Sequence, residues 1–420
     1  MAKRTKKTKT ENAAIEPEIS ALFGEEGSPD EFPGGIPEVV PDISKYAEFA
    51  LSDGAMKKWK PASEVFDTIE SVRTCLPGFN MAVRVGGLPV RRIHTVHGPT
   101  HGGKTAFVLA LVKSFVTRGF LSGYVDAEHS LGQEFAQEMV ADLQRYPNFM
   151  ALRPENYEET IEATSQFLAR SAEVAEKFKS ERPKSIIVVD SINKLVPKRE
   201  LAAILKAGEV NAAGATELAK GHHGRARAAL NQAWLDHLTP RVARAECAMV
   251  VIAQEREEDD PADFFANNFK VKGGAALLFD ASLVMRVQKG TPVWPPGVGK
   301  DDKKTNDMIQ GFKHTVRIYK SKVGHMDGRF SEAVFHLSNG KLTPRGLDLA
   351  RDAFTIGAEL GVLKTAGSWY SFEGKRWQGE NAVVQGLVAD QPRLNKLLDG
   401  IAFALDVREG RASAADTEGT

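Results

Sequence analysis

An α/β fold, with a mostly parallel central sheet flanked by helices and a small α+β domain behind it, is predicted by three observations. Apolar runs of strand length recur at residues 92–97, 121–126, 185–190, 248–254, 281–287, 315–320 and 333–337. The early intervals between them are long enough for the crossover helices that parallel strands require. Residues 98–105, reading GPTHGGKT, stand between the first of these runs and a mostly apolar stretch of helix length, residues 106–116. The pattern G-x-x-x-x-G-K-T between a strand and a helix is the context in which this spacing cradles phosphate.

Composition bounds the rest. The chain has 420 residues, 42% hydrophobic and 26% charged, which is globular and long enough for two or three domains at ~150 residues each. A formal net charge of zero creates no global field for nucleic acid or membrane, so any such contact comes from local patches. Cys75 and Cys247 lie far apart in sequence without metal-ligand spacing, which argues against a disulfide scaffold or a zinc site and suits free thiols in a reducing compartment. No apolar run approaches the ~18 residues of a membrane span and no signal-peptide core is present, so a cytoplasmic protein without a membrane partner is expected.

In chain order, residues 1–42 open with a basic cluster, Lys3 to Lys9, followed by an acidic, Gly- and Pro-containing stretch, the composition of a disordered tail. Residues 43–70 form a helical segment with Tyr46, Phe49, Ala50 and Met56 as apolar positions. The core spans 71–345, with a turn at Gly86-Gly87-Leu88-Pro89 ahead of the phosphate loop. A crossover helix begins near Asn156, which caps it while Glu159 closes a capping box. Residues 346–405 make the small α+β domain, including a hairpin turn at Glu373-Gly374-Lys375, and residues 406–420 form a frayed tail.

The chemistry is readable from residue types. Gly98, Gly102 and Gly103, with Pro99, Thr100 and His101 between them, let the backbone turn tightly around anionic oxygen. Lys104 supplies a point charge and Thr105 a hydroxyl for Mg²⁺, so ATP with Mg²⁺ is the expected ligand pair. Asp190 ends the run Ile186-Ile187-Val188-Val189, where a strand-end carboxylate either holds the Mg²⁺ shell or merely starts a turn. Glu128, just past another strand, is the candidate general base, against the alternative of a solvated cap. Gln254 ends a third strand with an uncharged polar group facing the same site. The loop 255–272 that follows carries Arg256, Phe265, Asn267, Lys270 and Lys272, aromatic and basic residues suited to single strands. A second basic loop, 220–227, carries Lys220, His222, His223, Arg225 and Arg227; its paired histidines lack a carboxylate or cysteine at metal spacing.

The succession GGLP, GPTHGGKT, YVDAEHSL, IIVVDSINKLVPKRE, KGHHGRARAALNQAW, VVIAQER, KVKGGAALLFDAS, VRIYKSKVG and AGSWYSFEGKRWQGENA resembles bacterial RecA recombinases over about residues 71–405. The resemblance implies a RecA-type ATPase core in which Lys104 and Thr105 hold phosphate and Mg²⁺, Asp190 completes the Mg²⁺ shell and Glu128 activates water. It implies that Gln254 senses the γ-phosphate and signals to the second DNA loop, that Phe135 lies on adenine, and that Lys320 and Lys322 reach the ATP of a neighbouring subunit. It further implies a homo-oligomeric helical filament on single-stranded DNA that pairs with homologous double-stranded DNA and exchanges strands in recombinational repair, with DNA-stimulated ATP hydrolysis. Gly132 stands where the family usually has an acid, the first 70 residues do not closely match its polymerisation arm, although the segment 43–70 is the candidate for that element, and its acidic tail is missing from the last residues, the marks of a divergent member, cellular or phage-encoded. Two other readings use the same core: a helicase-type ring motor, which lacks the YSFEGK-containing domain, and an ATP-gated single-strand-binding scaffold, against which an intact Glu128 argues.

Overall fold

The structure, a computed structural model, describes residues 68–202, 222–257, 269–272, 276–295, 298, 303–324 and 331–412. The tail expected over 1–42 and the helical segment expected over 43–70 lie outside these residues, apart from 68–70.

Strand β1 (Ser71–Val72), helix α1 (Pro77–Val83) and strand β2 (Leu88–Pro89) lead into β3 (Arg92–His97), which ends in the phosphate loop. Next come α2 (Lys104–Val116), β4 (Leu121–Asp126), α3 (Gln133–Met139), β5 (Phe149–Leu152), α4 (Tyr157–Lys177), β6 (Ser185–Asp190), α5 (His222–Arg244) and β7 (Cys247–Ile252). The short strands β8 (Glu255–Glu257) and β9 (Phe269–Val271) pair antiparallel. After α6 (Ala276–Phe279), the strands β10 (Leu283–Val293), β11 (Gly311–Ser321), β12 (Ser331–Ser338) and β13 (Gly346–Leu347) run antiparallel to one another. The chain closes with α7 (Leu349–Glu359), the three-stranded sheet β14 (Lys364–Ala366), β15 (Trp369–Phe372) and β16 (Lys375–Gln378), then α8 (Glu380–Val388) and α9 (Gln391–Arg408).

Nine strands form the main sheet in the order β13-β12-β11-β10-β3-β7-β6-β4-β5, parallel from β10 through β5. Its central strands are apolar on both faces because helices cover both. Period-two alternation sorts their side chains. Ile186, Val188, Val250 and Ile252 pack with α2 on one face, while Ile187, Val189, Met249 and Val251 pack on the other with Leu168 of α4 and Leu235 and Leu238 of α5. A third cluster joins α7, α8 and α9 around Trp377, Val384 and Leu397.

Phe107 on α2 is fully buried, edge-on to Phe79 at 5.4 Å and tilted against Phe335 at 5.8 Å between ring centroids. Phe107→Ala would leave a cavity between α1, α2 and β12 and is expected to cost about 3–5 kcal/mol in urea unfolding. A loss under about 1 kcal/mol would mean that these elements collapse onto the gap.

Local signals locate several elements. Asn156 caps α4 by accepting from Glu159 N at 3.0 Å. The Glu159 carboxylate returns to Glu155 N at 2.8 Å, one residue before the backbone group that a capping box engages. Glu373 and Gly374 both have positive φ, 44° and 74°, as a two-residue turn matched to strand twist requires. The strands β10 and β11 are longer than their apolar runs, because paired partners extend them into polar sequence. Helix α9 continues to Arg408, and Asp406, inside the stretch expected to fray, pairs with Arg73 and Arg411.

Candidate active site

Four neighbouring parallel strands, β3, β7, β6 and β4, end on one edge of the sheet. The chain leaves β3 for β4, yet β7 and β6 lie between them, so a crevice opens at their carboxyl ends. Each strand delivers a polar group there: the phosphate loop after β3, Gln254 after β7, Asp190 at the end of β6, and Glu128 after β4.

The loop is moulded by its neighbours as well as by any ligand. A Cβ at Gly98 would lie 2.2 Å from Val287 O, and one at Gly103, whose φ is +94°, would lie 2.6 Å from the His314 ring. Helix α2 starts at Lys104 with no side-chain cap, so its first N–H groups face the crevice with the positive end of the helix dipole. Lys104 Nζ curls back over the loop and donates to Gly98 O at 3.0 Å and Pro99 O at 2.8 Å. Burial lowers the pKa of this ammonium, while Asp190, Glu128 and Glu255 pull it upward.

Asp190 is 5% exposed, and its Oδ2 accepts from Thr105 Oγ1 at 3.0 Å and from Tyr124 OH at 2.6 Å. Burial raises its pKa, and these two donors oppose the rise. A hydroxyl beside a buried carboxylate at the mouth of a phosphate-type loop is an all-oxygen donor pair. It suits Mg²⁺, which takes one or two protein oxygens, keeps several waters and shares the rest with phosphate.

Glu128 is held from several sides. Its backbone N–H donates to Asp190 O at 3.1 Å, and its Oε1 accepts from Ser191 Oγ at 2.6 Å and from Gln254 Nε2 at 3.0 Å. Buried Asp126 secures the same loop by accepting from Ser130 N, Leu131 N and Arg153 Nε. Gln254 is itself fixed: its N–H donates to Asn193 Oδ1 at 2.7 Å and its Oε1 accepts from Lys272 Nζ at 3.3 Å. The crevice has a volume of about 550 Å³. Thr100, His101, Gly102 and Gly103 line one wall, and Phe135, Phe312, Lys289 and Asn339 also line it. Phe135 is 38% exposed where it lines the crevice.

The family model of the RecA N-terminal domain matches residues 48–341, the larger part of the chain. The chain belongs to the RecA family. It is 27% identical over 345 residues to Protein RecA of Bacteroides thetaiotaomicron, covering 82% of this chain and 90% of that one. It is 29% identical over 317 residues to Protein RecA of Clostridioides difficile, covering 75% and 78%, and 29% identical over 328 residues to Protein RecA of Thermus thermophilus, covering 78% and 82%.

In this RecA-family chain Lys320 lies among the last paired residues of β11 and Lys322 just beyond its end. Lys320 Nζ donates to Leu278 O at 2.7 Å and to Phe279 O at 2.6 Å, and Lys322 Nζ to Asp280 O at 3.1 Å. Both cations therefore rest on carbonyls at the C-terminal end of α6, where the helix dipole is negative. Burial lowers the pKa of Lys320, and the Lys322 charge lowers it further.

The DNA-binding candidates are distributed unevenly. Lys220, Phe265 and Asn267 lie outside the described residues. From His222 onward the expected basic loop is instead the start of α5, which corrects the reading of 220–227 as loop. The basic, glycine-punctuated composition suggested a loop, but Ala226, Ala228 and Ala229 favour helix, and Trp234, Leu235, Leu238 and Val242 bury a helical face. His222, His223 and Arg225 are in its first turn, and Arg227 pairs with Glu200, its Nε at 3.0 Å from Oε2. Arg256 and Lys270 face each other in register across β8 and β9. Lys272 closes the root of this hairpin through its N–H to Gln254 O at 2.8 Å.

Sequence reasoning missed Tyr124, Ser191, Lys289 and Phe312 as site residues. Period two could have found Tyr124, which shares a strand face with Asp126, and adjacency could have found Ser191. Lys289, whose Nζ lies 3.5 Å from the Phe312 ring centroid, gave no signal, because β10 joins β3, and β11 joins β10, only in the fold.

Proposed function

We propose that this protein is a DNA-dependent ATPase that polymerises as a helical filament on single-stranded DNA, pairs it with homologous duplex and exchanges strands in recombinational repair. The observation that carries the reading is the 3.0 Å hydrogen bond from Gln254 Nε2 to Glu128 Oε1. It ties the candidate base directly to the residue from which the candidate DNA-contacting hairpin springs, so hydrolysis and DNA contact share one hydrogen-bond chain.

In this reading the α2 N-terminus, the loop glycines and Lys104 bind the phosphates of ATP, and Phe135 lies on its base. Thr105 and Asp190 would hold Mg²⁺, which would supply charge neutralisation to the phosphates. Glu128 takes the proton of the attacking water, oriented by Ser191 and Gln254. Arg256, Lys270 and Lys272 at the β8–β9 pair, the sequence-predicted Phe265 and Asn267, and Lys220, His222, His223, Arg225 and Arg227 on and before α5 contact DNA.

Electron microscopy with single-stranded DNA and a non-hydrolysable ATP analogue tests the assembly. Filaments are expected; closed rings would support the motor reading instead. Phe265→Ala is expected to weaken single-strand affinity by roughly 1–3 kcal/mol and to lower DNA-stimulated hydrolysis, with ATP affinity unchanged. An unchanged DNA titration would assign that ring to internal packing.

A further inference from the structure

A second cavity, of about 700 Å³, shares no lining residue with the phosphate-loop crevice. Its volume is in the range that holds a small organic group. Trp294, directly after β10, gives it an aromatic wall. Four side-chain amides converge on it from separate parts of the chain: Gln310 just before β11, Gln378 at the end of β16, and Asn381 and Gln385 of α8. Helix α8 starts behind Gly379 with no side-chain cap, so the N–H groups of its first turn, which also lines the cavity, remain as donors. Gln310 Oε1 is buried and has no partner among the described residues, a state that costs free energy until a donor reaches it. A half-turn of this unpartnered amide offers the cavity either its oxygen or its NH2 group. Asn381 Oδ1 accepts from Arg351 Nη2 at 3.2 Å, which leaves its NH2 group to donate. Arg351 is itself held by two carboxylates, with Nε 3.2 Å from Asp348 Oδ2 and Nη1 on Glu380. Its charge is therefore balanced, and the wall offers no surplus cation to a bare phosphate or carboxylate. Lys304 is engaged with the Trp294 ring, its Nζ 5.4 Å from the centroid.

Such a wall suits a neutral, flat group that carries donors and acceptors side by side. We propose that this cavity binds an unstacked nucleobase with a carbonyl next to an N–H, the edge that thymine, uracil and guanine share, presented by a DNA strand or by a free nucleotide. The base stacks on Trp294, its carbonyl takes the free N–H groups of α8, and its N–H meets the Gln310 amide, the combination of stacking and edge hydrogen bonds by which extruded bases are read. The site stands apart from the proposed function, since it requires neither ATP hydrolysis nor a filament.

The test uses the full chain, saturated with a non-hydrolysable ATP analogue so that the phosphate-loop crevice is filled. 5-Iododeoxyuridine, which keeps the thymine edge and cross-links under ultraviolet light, is supplied in two arms, as the free 5′-monophosphate and within an oligo(dT) strand, and the labelled peptides are mapped by mass spectrometry. Labelling of Trp294 or of residues 378–385 is expected, and the arm that gives it names the source of the base. Competing thymine, in the same form as the probe, is expected to suppress it, and adenine to need about tenfold more or beyond, because a site built for a carbonyl and an N–H leaves its polar groups unpaired against the wrong edge. The double variant Gln378→Ala, Gln385→Ala changes two exposed side chains and spares the fold; it is expected to lower labelling about tenfold with the melting temperature and basal ATP turnover unchanged. No labelling of these segments from either arm overturns the proposal. Equal competition by adenine, or full labelling of the double variant, overturns it as well.

Discussion

Glu128→Gln is expected to bind ATP with affinity close to wild type and to turn it over about 10²–10⁴-fold more slowly. The amide is isosteric, and its oxygen can still accept the hydrogen bond from Ser191 Oγ that the carboxylate receives at 2.6 Å. What it cannot do is take a proton from water. Nucleotide affinity rests on other groups, namely the α2 N-terminus, the loop glycines and Lys104, none of which the substitution touches. Lys104→Ala makes the contrast, since it removes the only side-chain cation within the phosphate loop and is expected to lose nucleotide affinity together with turnover. Equilibrium binding of a fluorescent ATP analogue and single-turnover hydrolysis separate the two effects. Wild-type hydrolysis by Glu128→Gln would remove this carboxylate from the mechanism.

The double variant Lys320→Ala, Lys322→Ala is expected to bind ATP as a monomer and to fail at DNA-stimulated hydrolysis. In the single chain both ammonium groups are occupied by the carbonyls of Leu278, Phe279 and Asp280. If that local contact were their whole role, the variant would lose only the roughly 0.3–1 kcal/mol of a cation at a helix C-terminus and would hydrolyse normally. The proposed role is different: in the filament they stabilise charge that develops on the γ-phosphate held by the adjacent protomer. Mixing distinguishes the two. Combined with Glu128→Gln, the double variant should regain activity wherever its intact base faces the other protein's lysines, roughly one interface in four for an equimolar random head-to-tail mixture. No recovery in filaments shown to contain both proteins would return the lysines to the local role.

The features legible in the sequence share one property, that their residues are neighbours along the chain. The strands Arg92–His97, Leu121–Asp126 and Ser185–Asp190 have the bounds that their apolar runs predict. The Asn156 cap and the Glu373-Gly374 turn follow the same rule, since each is decided within a few residues. Where local signals conflicted, the reading failed. The glycines around His222 and His223 point locally to a loop, whereas the helix there is stabilised by the burial of Trp234 and Leu238, which is tertiary.

By itself the sequence determined that a phosphate loop lies between a buried strand and a helix, that acids stand at the ends of two other strands, and that the fold is α/β. Strand periodicity and loop spacing are local properties, and they suffice for that. Tertiary structure alone decided that Gln254 meets Glu128 across 126 positions, that Tyr124 and Thr105 converge on Asp190, and that Glu255 is locked between His97 and Arg286. The reason is the strand order: β7 and β6 insert between β3 and β4, and β10 takes the other side of β3. Which strands become neighbours follows from how the helices pack over both faces, and no single stretch of sequence contains that information.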